Sequence, residues 1–171
     1  MAAITGILCQ VITSNIDDAG TDGRVYLGLG GREFRLDSEK DDYERGSWRE
    51  YALGELPPTT TPPQLIDVVD PAFNDPRIGM PLDTGNLTKS PVYLRFEPSG
   101  DSPNWNLAFA AALVYDGGFV AAFTVPVAFD NLWFGDRMGK IVYLTEYIRR
   151  DEGRVLSRGH AVAQRTTSTT D

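Results

Sequence analysis

The chain has 171 residues, with 16 Lys+Arg against 24 Asp+Glu and a net charge of −8. That length fits one domain with a core of its own, and 42% hydrophobic with 11% aromatic residues excludes a wholly disordered chain. The acidic surplus excludes generic nucleic-acid binding, which needs Lys and Arg against phosphate, and simple attraction to an anionic bilayer.

From the N-terminus, residues 4–13 are rich in branched side chains and read as a first strand. The single cysteine, Cys9, lies in this run, so there is no intrachain disulfide framework, and a buried small hydrophobe is expected there. The first ten residues carry neither a basic segment nor a long apolar stretch, and the expected location is cytoplasmic or peripheral. Residues 24–29 alternate, with Val25, Leu27 and Leu29 on one side. A Gly30-Gly31 turn follows, and 33–37 resumes the alternation through Phe34 and Leu36. Residues 48–53 form a further short strand.

Eight of the 11 prolines then fall within residues 56–91. Such a stretch is no central strand. It reads as a long connection that packs over a sheet edge or presents a partner surface, with 65–69 as an edge strand or docked segment. Residues 92–97 alternate cleanly: Val92, Leu94 and Phe96 against Tyr93, Arg95 and Glu97. Residues 107–115 and 119–127, divided by Asp116-Gly117-Gly118, read as a hairpin rather than a membrane span. Residues 141–148 close the folded part. The polar segment 151–171 is expected to be a disordered tail, and it holds His160, the only histidine. The expected fold is all-β: an antiparallel sandwich of about eight strands in two sheets, forming one domain over residues 1–150, with the Pro-rich insert at 56–91.

Two segments concentrate acids with turn residues: Asp17-Asp18-Ala19-Gly20-Thr21-Asp22-Gly23, and 37–46, which holds Asp37, Glu39, Asp41, Asp42 and Glu44. Each joins two strands, so in a sandwich their carboxylates meet at one end. Converging carboxylates repel unless neutralised, and calcium does this with oxygen ligands in loose geometry. Neither segment matches the helical calcium-binding loop, and Asp and Gly also make ordinary solvated turns. Other chemistry has weaker support. A glycosidase needs two carboxylates facing each other across a cleft, Gly28-Leu29-Gly30-Gly31 is followed by no helix that would make a phosphate cradle, and a catalytic triad finds no histidine outside the tail. Of Trp48, Trp105 and Trp133, each is expected to pack in the core; Trp133 is the one expected to be the most exposed, and exposed indoles would suit a carbohydrate-binding sandwich.

The run Ala19-Gly20-Thr21-Asp22-Gly23-Arg24-Val25-Tyr26-Leu27, followed by Asp41-Asp42-Tyr43-Glu44-Arg45-Gly46 and later by Pro103-Asn104-Trp105-Asn106-Leu107, resembles the PLAT domain, the β-sandwich of the lipoxygenase-homology and alpha-toxin C-terminal type. The strand Tyr93-Leu94-Arg95-Phe96 is similar as well. The resemblance implies calcium ligands at Asp18, Gly20 (by its carbonyl) and Asp22 in the first loop, Asp37, Ser38, Asp41 and Asp42 in the second, and Asn104 with the Trp105 carbonyl in the third. Lys40 stands where a glycine carbonyl is common in the family, and Asn104 where calcium-binding members often have Asp; fewer ions than the family maximum are expected. The resemblance further implies a non-enzymatic module docking on another protein, or, as the alternative, calcium-dependent binding to a lipid headgroup or membrane surface. In the second case the ion would turn an acidic loop end positive toward phosphate. Against it stands the lack of an aromatic residue in the third loop, with Ile16 the one large apolar side chain in the first.

Overall fold

A computed structural model of the chain describes residues 1–126, 132–151 and 154–157. The described residues form eleven strands. They are β1 (Gly6–Thr13), β2 (Arg24–Leu29), β3 (Arg32–Leu36), β4 (Trp48–Gly54), β5 (Leu65–Ile66), β6 (Val92–Glu97), β7 (Trp105–Tyr115), β8 (Phe119–Thr124), β9 (Leu132–Phe134), β10 (Ile141–Asp151) and β11 (Arg154–Ser157). The all-β sandwich expected from the sequence is what the chain forms, and every long strand overlaps a segment read as a strand from the sequence. The short strands β5, β9 and β11 carry too few residues to show a period. β11 pairs with β10 inside the segment assigned to a tail; residues 158–171, with His160, and Val127 at the expected end of the hairpin lie outside the described residues.

The two halves of the sandwich are not separate sheets. The hydrogen-bonded path runs β3-β2-β6-β10-β8-β7-β1-β4-β5, with β9 beside β7 and β11 beside β10. The strand that joins the halves is β10: residues 141–144 pair with β6 and residues from Thr145 onward pair with β8, with a register shift between Glu146 and Ile148 inside that second pairing. A bulge of this kind bends a strand and lets it pass from one half to the other. The sheet thus curls around one core, made of Val25, Leu27, Phe34, Leu94 and Phe96 from one half and Ile7, Cys9, Val11, Tyr51 and Leu53 from the other. Cys9 is fully buried, and burial pushes its thiol pKa far up, so it acts as a small hydrophobe.

Curling leaves an open side between the two end strands, β3 and β4–β5. The Pro-rich insert fills it. Its only strand, β5, adds to β4 in parallel over two residues, and Glu50 at that edge accepts from the Gln64 amide at 2.8 Å. The insert then reaches the other edge: the Val69 amide donates to Asp37 O at 2.9 Å, and the buried Asn74 accepts from the Arg35 amide at 2.8 Å while donating to Val69 O at 2.9 Å. Further on, Leu82 and Leu87 are buried in the core. Leu82 rests on Gly30, and its carbonyl accepts from the Ile4 amide at 2.9 Å. Proline removes backbone donors and so cannot extend a sheet; here the edge strands are instead capped by side chains and isolated amides.

Candidate functional site

The loops β1–β2 (residues 14–23), β3–β4 (37–47) and β6–β7 (98–104) lie at one end of the sandwich and touch each other. Thr21 is their meeting point. Its amide donates to Tyr43 O of the second loop at 3.2 Å, and its hydroxyl donates to Ser102 O of the third at 2.6 Å and accepts from the Gly23 amide at 3.0 Å. The glycines around it permit the approach. A Cβ at Gly20 would sit 3.1 Å from the Arg45 amide, and one at Gly23 would collide with the Phe96 ring. The Gly-Thr-Asp-Gly run is therefore a loop junction. Thr21 lies outside the expected ligand set; its signal in the sequence is the Gly20-Thr21-Asp22-Gly23 run, where two glycines bracket a hydroxyl that can both donate and accept. Beneath the junction Trp105 is fully buried, its ring 5.4 Å from Tyr43, 5.6 Å from Phe96 and 5.3 Å from Phe134, with its indole N–H donating to Thr13 Oγ1 at 3.0 Å.

The nine candidate ligands divide into two groups. In the second loop, Asp42 is 5% exposed. Ser38 donates to both of its oxygens, from the amide and from the hydroxyl, each at 2.6 Å. Arg49 Nε stands 3.8 Å away and the same guanidinium donates to Asp41 O at 3.1 Å. Burial pushes the Asp42 carboxyl above its usual range, against the pull of the two Ser38 bonds. Asp37 is paired with Arg35 at 2.5 Å. This loop is held by its own serine and by arginines, which engage the carboxylates of Asp37 and Asp42.

The first and third loops differ. Asp18 is exposed and adopts a left-handed φ of 60°; Asp22 and Asn104 are exposed as well. The loops are tied by Asn106 N donating to Ala19 O at 3.1 Å and by Ser99 Oγ donating to Asp22 O at 2.7 Å. Asp18, the Gly20 and Trp105 carbonyls, Asp22 and Asn104 offer oxygen donors only, the donor chemistry calcium takes. Among the described residues no three His, Cys, Asp or Glu side chains are placed together to hold a metal, so the acids of the two loops do not gather into one cage. Asp17, not among the candidates, is paired with Arg45.

The tryptophans depart from expectation in one respect. Trp105 is core and cannot stack on a sugar; Trp133 is half-buried; Trp48, at the loop end, is the most exposed of the three at 39%. It opens β4 on the outer face, where the strand starts before the core does.

No protein-family model and no curated protein matches the chain. Solved structures do. The alpha toxin of Clostridium absonum overlaps with a TM-score of 0.53 at 16% identity, over 84% of this chain and 32% of the toxin chain. The Clostridium perfringens alpha-toxin from an avian strain overlaps at 0.52 and 14% identity, with the same coverage. A coral 8R-lipoxygenase, described as activated by calcium via a C2-like domain, overlaps at only 0.47, too loosely to argue from. This chain spans about a third of the length of the toxins it overlaps. At such identity the likeness is one of fold, and the fold is that of the alpha-toxin sandwich, in agreement with the PLAT-type resemblance of the loops.

Proposed function

We propose that the chain is a non-enzymatic docking module that meets a protein partner through its three-loop end. A calcium ion there would be held between the first and third loops by Asp18, the Gly20 carbonyl, Asp22, Asn104 and the Trp105 carbonyl. The observation that carries this reading is the Thr21 junction, which ties the first loop, with its exposed Asp18 and Asp22, to the third loop that bears Asn104. When bound, the ion would neutralise those acids and stiffen the loops; the second loop, already braced by Ser38, Arg35 and Arg49, takes no part in holding it. Calcium at 100 times its dissociation constant stabilises a native state by about 2.7 kcal/mol. Millimolar calcium should therefore raise the melting temperature. Asp18→Ala should abolish the rise, and Asp42→Asn should keep it. An unchanged melting curve for the natural chain removes calcium from the account, and loss of the rise in both variants returns the second loop to the site.

A second reading, calcium-dependent binding to a lipid surface, has one observation in its favour. Ile16 and Trp48 are 37% and 39% exposed at the loop end, and such side chains favour a bilayer interface. No helix among the described residues is long and apolar enough to cross a membrane. Co-sedimentation with phosphatidylserine-containing vesicles, with calcium and with chelator, separates the readings. Calcium-dependent pelleting that Trp48→Ala removes would favour lipid over protein.

A further inference from the structure

The Pro-rich insert carries a feature that folding does not account for. Phe73, Ile78 and Met80 are 81%, 50% and 67% exposed, yet the backbone that bears them is closely held. The Arg32 guanidinium donates to three carbonyls at once, Phe73 O at 3.3 Å, Asp75 O at 3.2 Å and Met80 O at 3.0 Å, which brings the two ends of the segment to one point. The Leu82 amide closes the loop on Pro76 O at 2.9 Å. Arg77 lies against Asp75 and Glu55, at 2.7 Å from each. Asn74, Leu82 and Leu87 supply the anchoring, so the three outward side chains add nothing to it. Ordering a loop costs conformational entropy at every residue, and a braced loop that points its largest apolar groups at water is arranged for something that covers them.

We infer that Phe73, Ile78 and Met80 form a second docking surface, for a partner protein presenting an apolar hollow edged by Lys or Arg. The charge around the patch selects this occupant. Both local cations are already engaged, Arg32 on carbonyls and Arg77 on Asp75 and Glu55. The exposed charges left over within residues 65–81 are Asp67 and Asp70. Lys40, across the groove that Asp67 and Asp70 line, is outnumbered by them and by Glu39, so the local charge is still negative and repels an anionic bilayer, whereas a basic rim would meet the acids. An aromatic ring beside a flexible methionine is a common pair of anchors at such surfaces.

The test uses the full chain as bait for a phage-displayed random peptide library, with affinities then measured on synthetic peptides. Enriched peptides should carry an apolar anchor flanked by Lys or Arg. The double variant Phe73→Ser with Met80→Ser should weaken them by about tenfold or more, as anchor truncation does, with the melting temperature unchanged. Asp67→Lys with Asp70→Lys should weaken them less, and Asp18→Ala, at the loop end, should not matter. Binders indifferent to the Phe73/Met80 variant would overturn the proposal. So would a Phe73-dependent association with phosphatidylcholine vesicles, or a dimer in sedimentation that the double variant dissociates, because each names a different occupant.

Discussion

The loop end and the insert both close off the same curled sheet, and they do so by opposite means. At the loop end, backbone contacts and the Thr21 hydroxyl tie the first loop to the other two, Arg35, Arg45 and Arg49 engage a minority of the acids, and the rest of the acids face water. In the insert, arginines do the holding, and the side chains left outside are apolar. The first arrangement leaves charge available to a cation. The second uses its cations internally and leaves oily surface. What a connection offers to solvent is thus set by which groups its own fold has already consumed.

Core truncations under the two regions should separate them most. Trp105→Ala removes the ring on which Tyr43, Phe96 and Phe134 pack and should cost about 3–5 kcal/mol in urea unfolding. Leu82→Ala, beneath the insert, should cost about 2–4 kcal/mol. A negligible cost at Leu82 would mean that the insert folds apart from the core and that the comparison fails. Next come the polar braces. Arg32→Ala should cost about 1.5–3 kcal/mol, since it removes charged-group hydrogen bonds to three carbonyls. It should also open residues 70–81 to limited proteolysis. Thr21→Val keeps the shape but loses the bond to Ser102 O, and should cost about 1 kcal/mol and reduce the calcium response without abolishing folding.

The smallest effect is also the most discriminating, because its sign differs between the regions. Burial holds the Asp42 carboxyl above its usual range. Its contribution to stability is therefore full below the ordinary carboxylate pKa and is lost as pH rises through the raised folded value. The Arg77 guanidinium, hydrogen-bonded to Asp75, holds that carboxyl below its usual range. Its contribution is present above the ordinary value and is lost as pH falls through the depressed one. On acidification, Asp75→Asn should blunt the loss of stability seen in the natural chain, and Asp42→Asn should deepen it. Melting curves from pH 3 to 7 read both, and equal slopes for the two variants would show that neither environment survives in solution.

Much of this was legible in the residues. Alternation in 24–29 and 92–97 located β2 and β6 because each strand has one buried face, and a period of two records that fact directly. The crowding of prolines marked the insert, since a residue without an amide donor cannot sit in a central ladder. The acidic loops were visible as turn chemistry, and their likeness to PLAT motifs pointed to the right fold. The ligand set was less legible. Asp42 and Asp18 look alike in the sequence, yet one lies buried under two donors from Ser38 and the other faces water.

The sequence by itself determined that the chain is an all-β sandwich with an acidic loop region and a long irregular connection, because side-chain period, glycine and proline act locally. Only the tertiary structure decided that β10 joins the two halves, that Thr21 ties three loops, that Ser38 and the arginines occupy the second loop's acids, and that Arg32 turns Phe73 and Met80 outward. Each of these depends on groups distant in the chain meeting in space. Thr21 and Ser102, or Arg32 and Met80, carry no mark of one another until the fold brings donor to acceptor.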